Sequence, residues 1–148
     1  MSMTTDDAPP SPLPARGLSA VLDFAAPSHR RAALLLVAFC LLAFLPGFFQ
    51  IPPVDRDEAR FSQASKQMIE SGEYVDIRFQ DEVRYKKPVG IYWLQTVAVK
   101  AGEALGVPEA RTTIWLYRLP SLLGATGAVL VTYWAALAFV GRRTALVA

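Results

Sequence analysis

Two short stretches of the 148-residue sequence carry side chains suited to chemistry. The first, PPVDRDEARF from Pro52 to Phe61, sets Asp55, Asp57 and Glu58 beside Arg56 and Arg60, directly after a long apolar run. A carboxylate at an outer membrane boundary, where lipid keeps water sparse, can act as general base on an acceptor, and Asp57 or Glu58 suits that role. The same residues have a structural reading. Asp55 and Glu58 have the spacing of a capping box, and acids in a first helical turn favour the positive end of the helix dipole. The second stretch, RYKKP from Arg84 to Pro88, groups Arg84, Lys86 and Lys87. Either the lysines snorkel toward anionic headgroups in general, or lysine point charges and a forked arginine clamp the phosphate of a polyprenyl lipid. A base and a phosphate clamp on one loop suit transfer from a lipid carrier.

Apolar segments must position these groups. The chain is 53% hydrophobic, with 15 Lys+Arg against 13 Asp+Glu, which is too apolar for an ordinary soluble domain. Its near-balanced charge offers no broad basic field, so no nucleic-acid partner is expected. Residues 32–51, AALLLVAFCLLAFLPGFFQI, and residues 119–140, LPSLLGATGAVLVTYWAALAFV, contain no charged side chain. Each is long enough, at about 1.5 Å per residue, to cross a hydrocarbon core of roughly 30 Å, so both read as transmembrane helices. A cleaved signal peptide does not fit the first run, because a mixed, Pro-rich leader precedes it and no small-x-small site follows. Arg30 and Arg31 precede the first run and Arg142 and Arg143 follow the second, placing both outer ends in the cytoplasm and residues 52–118 outside.

Residues 1–31 read as a mostly disordered cytoplasmic tail with a short helix near LSAVLDFA. In the external loop, DEARFSQASKQMIESG reads as an amphipathic helix ended by Gly72, with Phe61, Ala64, Met68 and Ile69 on one side, lying at the membrane surface. EYVDIRF alternates as an extended segment and QDEV turns the chain. A second surface helix runs from Pro88 to Gly106, its Tyr92 and Trp93 suited to a headgroup-level belt. Cys40 reads as a small core residue, His29 as an interfacial one, and GATGA at 124–128 as a surface for close helix packing. Residues 141–148 read as a cytoplasmic turn and the start of a third span. The expected fold is thus an all-α polytopic membrane protein, with this chain as its N-terminal part.

Four ordered motifs, DRDEARF, MIESGEYVDIRF, RYKKPVGIYWLQ and YRLPSLLGA, together resemble the start of GT-C membrane glycosyltransferases. The nearest branch is that of the bacterial aminoarabinose transferases and protein O-mannosyltransferases, glycosyltransferase family 39, and the resemblance runs from about Leu34 to Ala148. It implies that Asp57, with Glu58 beside it, is the catalytic or acceptor-activating carboxylate. It also implies that Lys87 contacts the polyprenyl-phosphate donor. In aminoarabinose transferases a glutamate that helps hold a metal precedes that lysine. Lys86 stands there instead, which changes the local charge by two units, and no metal site and no cofactor are carried over.

The function expected is transfer of a sugar from a polyprenyl-phosphate donor to a lipid or glycolipid acceptor, such as lipid A, on the periplasmic side of a bacterial inner membrane. In that reading Asp57 and Glu58 are catalytic, and Lys87, Lys86 and Arg84 hold the donor phosphate. The alternative is a non-catalytic membrane protein whose external loop binds anionic lipid or a partner subunit.

Overall fold

A computed structural model describes residues 13–83 and 87–148. Among the described residues six helices and one two-stranded hairpin follow along the chain: α1 Leu13–Ala25, α2 His29–Phe44, α3 Arg56–Ser71, β1 Arg78–Phe79, β2 Glu82–Val83, α4 Gly90–Ala104, α5 Ile114–Ala136 and α6 Arg142–Ala145. They divide into two compact units, one comprising the described residues up to Phe39 with Ala128–Ala148, the other Cys40–Gly127.

Unit two carries both chemical stretches. Asp55 begins α3 as its N-cap, with extended backbone and a side-chain oxygen that accepts from the Asp57 N–H at 3.3 Å. Gly72 ends it in the left-handed conformation (φ 73°), its N–H bonded to the Met68 carbonyl. Ala64, Ser65, Met68 and Ile69 are the buried face of α3. That face packs against protein: Ala64 and Met68 meet Ile77 and Tyr92, and Ile69 joins Val99, Ala110, Leu116 and Tyr117. The stripe expected to rest on a membrane surface is therefore consumed by the contact with α4, the hairpin and the start of α5. Tyr92, expected in a headgroup belt, is fully buried for the same reason, while its neighbour Trp93 stays half exposed.

Polar bonds fix the register of this packing. Ser65 Oγ donates to Gln95 Oε1 at 2.7 Å, and Gln95 Nε2 donates to the Tyr117 carbonyl at 3.1 Å, linking α3, α4 and α5 through a buried thread. Gln80, at φ 58° in the hairpin turn, exchanges two hydrogen bonds with the Gln67 side chain. Gly102 lies against Leu116, whose methyl carbons would sit 2.7 and 3.0 Å from a Cβ at that position.

The apolar runs fold with different limits from those expected. The first forms α2 only as far as Phe44; residues 45–51 are turns, because Pro46 disfavours helix at the residue before it and Gly47 adopts φ 77°. The second begins earlier, at Ile114, because its first turns pack on α3 and α4, and it stops at Ala136. Among the described residues α5 is the one helix long and apolar enough to cross a membrane by length and composition. A Cβ added at Gly124 or Gly127 would meet nothing within 4 Å, so the small-residue surface has no partner among the described residues.

Unit one is built around Ala32, Tyr133 and Ala145, with Leu36, Ala136, Leu137 and Leu146 packed beside them. The short helix expected near LSAVLDFA is present and begins earlier, as α1 Leu13–Ala25, with Leu18, Val21, Leu22 and Ala25 recurring at helical spacing. His29 Nδ1 lies 3.1 Å from the Tyr133 hydroxyl, and Cys40, in unit two, is buried.

Candidate functional site

The helix start at Asp55 places Asp57 and Glu58 in the first turn of α3, and the structure gives the two carboxylates different surroundings. Among the described residues Asp57 has a loose ion pair, 3.9 Å from Arg60, and its side chain is nearly half exposed (46%). Glu58 Oε1 accepts from Arg118 Nε at 2.5 Å, with both side chains largely covered. Glu58 therefore does not close the expected capping box by reaching back to the N-cap. The full positive charge of a guanidinium attracts a carboxylate more strongly than a single backbone N–H dipole does, and Arg118 takes the carboxylate.

Arg118 makes more than this one contact. Its Nη1 donates to the Phe48 carbonyl at 2.7 Å and its Nη2 to the Pro52 carbonyl at 3.4 Å. One guanidinium in the second turn of α5 thus holds the turn after α2, the linker to α3 and the first turn of α3. Arg118 stands within YRLPSLLGA, and nothing in its immediate neighbours marks these contacts. The signal it carries is that it is the one charged side chain of α5, standing at the head of a 23-residue run without charge. Beside it lies an apolar groove of about 280 Å³ lined by Phe44, Phe48, Ser121, Leu122 and Ala125 together with Arg118 itself.

Lys87 is exposed in a bend ahead of α4, the helix that packs on α3. Arg84 and Lys86, the other two members of the expected phosphate clamp, lie outside the described residues. A separate cleft of about 420 Å³ between α3 and the segment leading into β1 is lined by Gln67, Met68, Asp76 and Arg78 among others; of the expected site residues that are described, Asp57, Glu58 and Lys87, none borders it. Arg111, also in unit two, is pushed above the ordinary arginine value, first by its hydrogen bond to Glu103 and then by that carboxylate's charge. Among the described residues no three His, Cys, Asp or Glu side chains are grouped closely enough to hold a metal ion.

Fold and site together define a mostly helical chain, with one helix fit to cross a membrane and, tied to that helix's polar end by an arginine, a helix start bearing a partly exposed carboxylate. Over 121 residues, 80% of its length, the chain is 31% identical to an undecaprenyl phosphate-alpha-4-amino-4-deoxy-L-arabinose arabinosyl transferase of Pectobacterium carotovorum subsp. carotovorum (strain PC1). Over 108 residues, 71% of its length, it is 32% identical to a protein of the same name from Pseudomonas savastanoi pv. phaseolicola (strain 1448A / Race 6). The chain spans about a fifth of these relatives, 20% of the first and 18% of the second. No family model matches the chain, and no solved structure matches it.

Proposed function

We propose that this chain is part of an integral-membrane glycosyltransferase of the GT-C type, which moves a sugar from a polyprenyl-phosphate donor to an acceptor on the periplasmic side of a bacterial inner membrane, such as lipid A. The observation that carries the reading is the pairing of the arabinosyl transferase similarity with a partly exposed Asp57 beside a Glu58 ion-paired with Arg118.

In this mechanism Asp57 takes the proton of the acceptor nucleophile as that atom bonds to the anomeric carbon of the sugar. The bond from that carbon to the donor phosphate breaks, and the polyprenyl phosphate leaves as an anion. Lys87, with Arg84 and Lys86, stabilises the charge that grows on the leaving phosphate more than the charge of the ground state, which is what accelerates the step. Glu58 is a positioning residue here: its ion pair with Arg118 holds the first turn of α3, and so Asp57, at the polar end of α5. The apolar groove beside Arg118 suits the isoprenoid part of a lipid carrier.

The test is sugar transfer by the complete protein in membranes. Asp57→Asn keeps the size of the side chain, and general-base loss should lower transfer by about 10²–10⁴-fold at unchanged membrane levels. Full activity of that variant would overturn the assignment of Asp57 and favour a loop that only binds lipid or a partner. Lys87→Gln should instead raise the donor concentration needed as well as slow the reaction.

A further inference from the structure

The first unit carries a surface that the proposed reaction does not use. Leu18, Val21 and Phe24 recur every third residue of α1, and all three are exposed, by 58%, 44% and 64%. At about 100° per residue they cover one side of the helix. Asp23 lies on the other side, where it pairs with Arg143 of α6 at 3.3 Å. Arg142 of α6 also donates to the Pro27 carbonyl at 2.7 Å, so α6 holds α1 through its polar face and leaves the apolar face free.

Charge says what kind of surface would cover that face. Arg30, Arg31, Arg142 and Arg143 are all exposed and gathered at the end of α1, with the Arg31 guanidinium 5.1 Å from the Phe24 ring centre. Asp23 is the one carboxylate among the described residues of this unit. The unit also contains the last turns of α5, the helix fit to cross a membrane, and α6 follows it after a short turn. An apolar helical face with Arg31 at its edge, in a unit whose exposed arginines outnumber its one described carboxylate, matches an anionic lipid surface in both hydrophobicity and charge.

We propose that α1 lies in the surface of an anionic lipid bilayer, with Leu18, Val21 and Phe24 below the headgroups and the exposed Arg31, beside Phe24, and Arg30 against lipid phosphates. This is independent of the sugar-transfer reading, because it uses no residue of the candidate site. The test uses the full chain in a Cys40→Ala background, with single cysteines at Leu18, Val21 or Ser19 carrying an environment-sensitive fluorophore. The chain is reconstituted in phosphatidylcholine vesicles with or without phosphatidylglycerol, and helix content by circular dichroism checks that each variant folds. Labels at 18 and 21 should be quenched by brominated lipid and protected several-fold from aqueous iodide, the label at 19 should show the reverse, and the protection should grow with phosphatidylglycerol. Equal iodide access at 19 and 21 overturns the proposal. So does protection at 21 without quenching by brominated lipid, which would mean a protein covers the face, and so does protection indifferent to phosphatidylglycerol.

Discussion

A carboxylate at position 58 can turn back to the N-cap N–H or outward to a cation, and here the cation holds it. Removing either partner leaves the other largely covered and unpaired, so Glu58→Gln and Arg118→Met should each destabilise the chain. Their double-mutant cycle should show a coupling of about 1–3 kcal/mol, allowing for the partial exposure of the pair. Thermal unfolding of the four proteins in detergent measures it, and additive effects would mean that the ion pair contributes nothing. Tyr92 presents the opposite case. Its ring packs tilted against Phe61, 5.2 Å between centres, but its buried hydroxyl has no hydrogen-bond partner among the described residues. Tyr92→Phe removes an unsatisfied polar group while keeping the ring, and the variant should be as stable as the parent or gain up to about 1 kcal/mol. A clear loss of stability would reveal a bond to that hydroxyl.

At the scale of elements, α4 meets α5 at Gly102 with no room for a Cβ. Gly102→Val puts branched carbons where the Leu116 methyls already sit, and overpacking should cost about 1–3 kcal/mol and lower the melting temperature. Gly72→Ala should cost about 1 kcal/mol for a different reason, since open space surrounds Gly72 but its φ of 73° is unfavourable for a residue with a Cβ. Equal stability of the Gly72 variant would show that the cap rearranges. Both ends of α3 were legible in the sequence, because Asp55 and Gly72 act through their own backbone neighbours. The apolar stripe of α3 was legible too, but its partner was not: periodicity tells which side is buried and leaves open whether lipid or protein buries it. The same limit explains Tyr92, which reads as an interfacial aromatic until α3 is packed over it. The pairing of Glu58 with Arg118 joins residues 60 apart and has no local signature. The end of α2 at Phe44 could have been read from Pro46 and Gly47, since both break helices by local rules, but unbroken hydropathy across residues 32–51 outweighed them.

For the molecule as a whole, the sugar-transfer reading belongs to a protein of which this chain matches about a fifth. The purified 148-residue chain should therefore give no detectable transfer from a polyprenyl-phosphate sugar, and measurable turnover by it would mean that the site is complete without further segments. Orientation has its own test. A cysteine at Gln80 should react with a membrane-impermeant maleimide in intact spheroplasts, and one at Arg142 only after the membrane is opened; the reverse pattern would turn the proposed topology over. One contact also bears on how such a protein can vary. Arg118 grips the carbonyls of Phe48 and Pro52, so the excursion that carries α3, the hairpin and α4 leaves and returns at a single clasp. Lengthening a closed loop costs little, about 0.6 kcal/mol for each doubling. Insertions around the hairpin turn at Gln80 and Asp81 can therefore reshape what the loop presents to an acceptor, while the clasp keeps Asp57 in the same place.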